Sequence, residues 1–340
     1  MMNSAPKVLV LGGNIGRWKA AERLHEKDVT NGVESWVYAF SADYIRGAEV
    51  TLEEINQYDI VIANANSDKQ TRENLQKFSA ERASTVRWVT LIEGSGSDYI
   101  TPHIDFRQIF DNSDLINCIN IHSLDLLRLM TKTRVEYIGI PYPVDGISQF
   151  TIPFEKRRRE SYITPFLLKR WNDYFVAREL GIPYYGFEKT IRRTLKTVAT
   201  DFLKHHETDF DKKRELKKAA KLYNDPSLQI LPSSGLKEFF LRNAGAFLWL
   251  NLDDRYTWGR FVIDAAALKI PIITTVSTGH AAGLYPETTL ENEFQLDKAI
   301  EIGKRLINDE EFYRHVANYP EGRMEHLKPE AMVKRLLECL

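Results

Sequence analysis

Cysteine is scarce in this chain: there are two in 340 residues, Cys118 and Cys339. They stand far apart and belong to no Cys-x-x-Cys or Cys/His spacing, so the sequence encodes neither a disulfide framework nor a thiolate metal site. Both read as free thiols of a reducing compartment. Excess charge of one sign is also missing. The 46 Lys and Arg balance 47 Asp and Glu, for a formal net charge of -1. A general attraction to nucleic acid or membrane is therefore not implied, although local patches remain open. No apolar run approaches the roughly 18 residues of a membrane span. The first apolar run is short and leads into glycines, unlike a signal peptide. These absences lead us to expect a soluble, cytoplasmic protein without a transmembrane segment. There is no internal repeat, and the only biased stretches are basic runs.

What is present is an ordinary globular composition, 43% hydrophobic and 27% charged, in a length that suits two domains. Lys7–Leu11 reads as a buried strand. It runs into Gly12-Gly13-Asn14-Ile15-Gly16 and then a helix over Arg17–Lys27. Such a turn is a backbone cradle for phosphate or simply a tight connection, and its spacing is not a full dinucleotide fingerprint. Further strands are expected at Ser35–Phe40, Asp59–Ala63, Val86–Ile92, Asp114–Ile121 and Val135–Ile140. Helices are expected at Leu52–Gln57, Lys69–Glu81 and His122–Thr131. The alternation predicts a parallel sheet with helices on both faces. Glu93 follows the strand Val86–Ile92 at the edge where such sheets bind ligands. It is either a loop acid or part of a site.

The middle of the chain is charged. Glu155–Glu160 reads as a solvated loop or, more sharply, a phosphate patch. Helices are expected at Phe166–Leu180, Thr190–His205 and Lys212–Tyr223. Beyond Pro226 come a strand at Gln229–Leu231, a helix at Leu236–Asn243 and a strand at Ala246–Leu250. Then follows Arg255–Thr275. A Gly259 turn opens a helix with Phe261, Val262, Ala265, Ala266 and Leu268 on one side. Pro271 ends it, and Ile272–Thr275 is a β-branched strand. A helix start beside a strand end offers unpaired amides to phosphate. Helices at Phe294–Asn308, Glu310–Val316 and Leu327–Leu340 complete the chain.

This last stretch resembles the donor-site signature of retaining GT-B glycosyltransferases, which use nucleotide-activated sugars. The family pattern is roughly Pro-Ser, Glu-Gly-Phe-Gly, four residues, Glu-Ala, then small-Gly-x-Pro-Val-Ile. Trp258-Gly259 match Phe-Gly, Asp264-Ala265 match Glu-Ala, and Lys269–Ile273 match the final segment. Tyr256 stands where the family has its first acid. Tyr137–Asp145 resembles the turn that ends the family's first domain, with Pro143 in place of Gly. The resemblance implies an α/β protein of two Rossmann-like doubly wound domains facing a cleft. They would be residues 1–145 on the acceptor side and 146–320 on the nucleotide-sugar side, with a terminal helix, 321–340, returning to the first.

The function implied is transfer of a sugar from a nucleotide sugar to an acceptor that the sequence does not identify, with retention and without a metal or other cofactor. Glu93 and Tyr256 are the candidate catalytic residues. Pro232, Ser233, Trp258, Gly259, Arg260 and Asp264 are candidates for holding the donor, with the Asp264 carboxylate on the ribose hydroxyls. Lys169 and Arg170, or the Arg157–Arg159 cluster, are candidates for the pyrophosphate. Gly12, Gly13 and Asn14 would lie near donor phosphate or acceptor, and His280 near the sugar. Simpler roles exist for each: core packing for Trp258, a solvated cation for Arg260, a dipole partner for Asp264. The basic runs leave a phosphate-rich acceptor such as DNA open. An epimerase on the same fold and a non-catalytic sugar or nucleotide binder are the alternatives.

Overall fold

The computed structural model describes residues 5–13, 16–65, 68–93, 106–163, 172–187, 226–232, 234–253 and 256–340. The chain divides into two compact units. Unit 1 comprises Met1–Gly146, Tyr256–Arg260 and Gly322–Leu340, and unit 2 comprises Ile147–Arg255 and Phe261–Glu321.

Unit 1 is built on β1 (Val8–Gly12), β2 (Arg17–Lys19), β3 (Asp43–Arg46), β4 (Ile60–Asn64), β5 (Arg87–Ile92), β6 (Leu115–Cys118) and β7 (Val135–Glu136). Their order is β2-β3-β1-β4-β5-β6-β7. All neighbours are parallel except β2, which runs antiparallel to β3. The central strands are continuous apolar runs because helices cover a parallel sheet on both faces. Leu9, Leu11, Val61, Ala63, Leu75, Trp88 and Phe110 share one core. The chain leaves β1 for β3 on one side and β4 on the other, so the strand order reverses at β1.

Two expectations for this unit are overturned. Ser35–Phe40 is a helix, not a strand, with Trp36 and Val37 buried. A short, mostly apolar run satisfies either geometry. Here Ser41 adopts a left-handed conformation, φ 52°, which ends the helix and turns the chain into β3. Arg17–Lys27 is not one helix. Arg17–Lys19 forms β2, with Trp18 stacked on Tyr44 at 5.1 Å between ring centroids, and only Ala20–Glu26 coils, as a 3-10 turn. The expected strand Val135–Ile140 is confined to Val135–Glu136. The terminal helix Pro329–Cys339 packs on the helix Ser35–Phe40 and buries Met332 and Leu336.

Unit 2 is built on β8 (Arg158–Ile163), β9 (Tyr184–Phe187), β10 (Leu228–Leu231), β11 (Ala246–Asn251), β12 (Ile272–Thr275) and β13 (Thr289–Leu290). The order is β10-β9-β8-β11-β12-β13, and every pair is parallel. Numbered within the unit this is 3-2-1-4-5-6, the order of a doubly wound nucleotide-binding domain. Tyr162, Phe239 and Trp249 pack edge to face across the sheet.

The charged run Glu155–Glu160 is not a solvated loop, because its second half is the start of β8. Arg157 donates to the carbonyls of Leu268 at 3.0 Å and Lys269 at 2.7 Å, and to the Tyr313 hydroxyl at 2.7 Å. Arg158 pairs with Glu160 at 2.5 Å. These two guanidinium groups serve the fold at the amino edge of the sheet, opposite the edge where such sheets bind ligands. The helices expected at Thr190–His205 and Lys212–Tyr223 lie outside the described residues.

Candidate active site

In unit 1, chemistry gathers at the carboxyl edge of the sheet. Glu93 follows β5, and Asn64 closes β4 with its side chain buried. The Asn64 side chain hydrogen-bonds the Glu93 carboxylate. Glu93 is exposed, yet the protein around it desolvates the carboxylate. That burial raises its pKa, and the nearby Glu34 carboxylate adds to the shift, while the Arg260 charge and the Asn64 bond oppose it. A carboxyl whose pKa is raised holds its proton more readily than an ordinary one.

The segment Tyr256–Arg260 belongs to this unit and is fixed at both ends. Asn120, fully buried, donates from Nδ2 to the Tyr256 carbonyl at 2.8 Å and accepts from the His122 amide at 3.1 Å. The His122 and Tyr256 rings lie 4.7 Å apart, inclined by 52°. Trp258 is buried against Tyr142, with ring centroids 6.3 Å apart. Gly259 has φ 88°, a left-handed conformation that favours glycine and brings the chain into the helix Arg260–Ala267. Arg260 then interacts with Glu93. Gly12 is buried beneath Tyr44, and a Cβ there would meet the phenol oxygen at 2.6 Å. Packing of Tyr44 therefore requires Gly12 to be glycine. Gly13 is exposed beside it, and Asn14 lies outside the described residues.

Unit 2 presents a second polar edge. β11 ends in Asn251, followed by Leu252 and Asp253, and all three are buried. Asp173, also buried, accepts from the Leu252 amide at 2.6 Å. Thr275 and Ser277 both donate to the Asp253 carbonyl and lie 2.7 Å from each other. Thr278 donates to Asn251 at 3.3 Å. Asp264, on the helix between β11 and β12, is only 1% exposed. Buried polar groups of this density are costly unless paired, and they keep the strand ends rigid. His280 takes a left-handed φ of 65° at the start of the short helix after β12. Pro232 is exposed after β10, the outermost strand, three strand positions from β11. Ser233, Lys169 and Arg170 lie outside the described residues.

The residues singled out in sequence thus fall into two groups. Glu93, Tyr256, Trp258, Gly259 and Arg260 belong to unit 1, and Asp264 and Pro232 to unit 2. Asn64, Asn120 and His122 were not singled out. The available signal was a polar residue at or just past the end of an apolar strand, which is where α/β sheets place their sites. Among the described residues no group of three or more His, Cys, Asp or Glu gathers to hold a metal ion.

No protein-family model matches the sequence, and a search of curated proteins finds no match. Solved structures do match, over nearly the whole chain. An α,α-trehalose 6-phosphate synthase from Burkholderia multivorans aligns with TM-score 0.65 at 8% identity, over 98% of this chain and 96% of that one. An α-glucosyltransferase, solved with UDP and a 13-mer DNA, aligns with TM-score 0.64 at 11% identity, over 99% of both chains. A sucrose-phosphate synthase from Thermosynechococcus elongatus aligns with TM-score 0.62 at 12% identity, over 98% and 97%. The chain has the GT-B fold. Its α/β architecture of two largely parallel, Rossmann-like sheets is the one that the sequence resemblance implied. No helix among the described residues of this GT-B chain is long and apolar enough to cross a membrane.

Proposed function

We propose that this protein is a glycosyltransferase that moves a sugar from a nucleotide sugar to an acceptor, with retention at the anomeric carbon. The observation that carries the reading is Asp264. It is an almost wholly buried carboxylate on the helix between β11 and β12, in a sheet of nucleotide-binding order. The glycosyltransferases among the similar folds support it. UDP, held by one of those neighbours, is the first nucleotide to test.

In this reading unit 2 holds the donor. The Asp264 carboxylate accepts from the ribose hydroxyls. The chemical demand is to stabilise charge on the departing diphosphate. Lys169 and Arg170 are proposed as its cationic partners, and a metal is not required in this scheme. Unit 1 takes the acceptor, with Glu93 as the group that manages the acceptor proton. Retention rests on the likeness of Trp258–Ile273 to the family signature, and a cytoplasmic site on composition.

The test is a calorimetric titration with nucleoside diphosphates, followed by incubation of nucleotide sugars with a panel of acceptors and mass spectrometry. Binding of one diphosphate and mass transfer to an acceptor are expected. If no diphosphate binds, the reading falls. Product formed from the nucleotide sugar alone would assign an epimerase instead.

A further inference from the structure

Tyr256 is 56% exposed, although its main chain is pinned by a fully buried asparagine. Its ring packs against His122. An aromatic ring held in place through its main chain and left in water offers a face to the apolar side of a ligand. Its surroundings define the chemistry of that partner. The Ile119 amide donates to the Ile92 carbonyl at 2.9 Å. Glu93 and Asn120 therefore leave adjacent strands of the sheet, roughly 5 Å apart. Asn120 holds the main chain of Tyr256 at the end of β6, and the charge of Arg260, four residues on, acts on Glu93. Asn64 joins Glu93 from β4.

An aromatic face beside flat hydrogen-bonding groups of both kinds matches a sugar. A pyranose has an apolar C–H face and a rim of hydroxyls that both donate and accept. Phosphate is poorly served here, because Arg260 already faces Glu93 and Glu34 adds negative charge. Partial burial lowers the pKa of His122 below its ordinary value, which favours the uncharged ring.

We propose that Tyr256 and His122 form a stacking platform for a neutral pyranose, whose hydroxyls meet Glu93, Asn64 and Arg260. It would make the acceptor a carbohydrate, and that use rests on the glycosyl-transfer reading, whereas the sugar site itself does not. Tyr256 would serve as the ring on which the acceptor rests, and Asn120 as the residue that positions it.

The test is saturation-transfer NMR on the full chain with methyl pyranosides of glucose, galactose and mannose, and with thymidine as the base-stacking control. The ring C–H protons of at least one pyranoside should take up saturation. Tyr256→Phe should retain its affinity, and Tyr256→Ala should weaken it about tenfold. UDP titration of the same variants should be unchanged. The proposal is overturned if no pyranoside binds, if Tyr256→Ala binds as tightly as the parent, or if thymidine alone takes up saturation. Pyranoside binding without any diphosphate binding would keep the sugar site and remove the transferase reading.

Discussion

The side-chain amide of Asn120 meets the main-chain carbonyl of Tyr256 at 2.8 Å, joining residues 136 positions apart. Its own oxygen takes the His122 amide at 3.1 Å. Asn120→Ala leaves both groups without this partner in a buried setting. A destabilisation of about 1–3 kcal/mol is expected, read as a lower urea midpoint at unchanged slope.

Glu93 should give the protein a pH signature. Its folded-state pKa lies above its unfolded value because of burial first and Glu34 second. The folded state therefore binds the proton more tightly. The resulting stability is present below the unfolded carboxylate pKa and is lost as pH rises through the raised folded value. Glu93→Gln removes this term. Thermal melts across the weakly acidic range should show the wild type losing stability with rising pH and the variant changing less. Equal slopes for the two proteins would rule Glu93 out as the source.

Asp264→Asn is expected to weaken donor binding tenfold to a hundredfold, since hydrogen bonds to a charged group contribute roughly 1.5–3 kcal/mol. From its place near a helix start, the sequence suggests that the fold loses at most about 1 kcal/mol with this change. Its burial, at 1% exposure, raises the expected cost to about 1–3 kcal/mol. Titration with UDP, corrected for folded fraction by circular dichroism, separates the two effects. Unchanged affinity per folded molecule would leave Asp264 a purely structural acid.

The helix Arg260–Ala267 ends in a Schellman turn. The Ile270 amide reaches the Ala265 carbonyl at 2.9 Å and the Lys269 amide the Ala266 carbonyl at 3.1 Å. Lys269 holds the left-handed position, φ 55°, that usually belongs to glycine. Lys269→Gly should relieve about 1 kcal/mol of strain, less what its more flexible unfolded chain takes back. The net result should be a small rise in melting temperature. A fall would mean that the ion pair of Lys269 with Glu321, at 3.1 Å, outweighs the strain.

Arg157 binds the carbonyls of Leu268 and Lys269 with different nitrogens, Nη2 and Nη1. Arg157→Lys offers a single point donor in place of that planar fork. It should destabilise nearly as much as Arg157→Ala, by about 1–3 kcal/mol in each case. Chemical denaturation of the two variants side by side checks this.

Most of the fold is legible in the sequence wherever a local signal is unambiguous. Val8–Gly12 and Ile272–Thr275 follow from apolar runs and a helix-ending Pro271, and Lys69–Glu81 is the helix expected there. Ser35–Phe40 does not, because a short, mostly apolar run fits a strand as well as a helix, and Ser41 settles the choice only through its conformation. Arg157 and Arg158 look like a solvated patch because their partners, Leu268, Lys269 and Arg242, are remote in sequence. The candidate site divides the same way. Glu93 and Tyr256 stand out singly as a strand-end acid and a departure from a motif. That Asn120 holds the main chain of Tyr256 at the end of β6 is a tertiary fact with no local trace.

The chain passes between its units after Gly146, Arg255, Arg260 and Glu321. No single cut therefore yields either unit whole, and residues 1–146 made alone lack both the Tyr256–Arg260 segment and the helix that buries Met332 and Leu336. On the ribosome the order of synthesis and the order of completion are reversed. Unit 1 emerges first, yet it must wait with an uncovered apolar face until Pro329–Cys339 has left the exit tunnel. A nascent chain stalled short of Pro329 should be the species that chaperones hold longest.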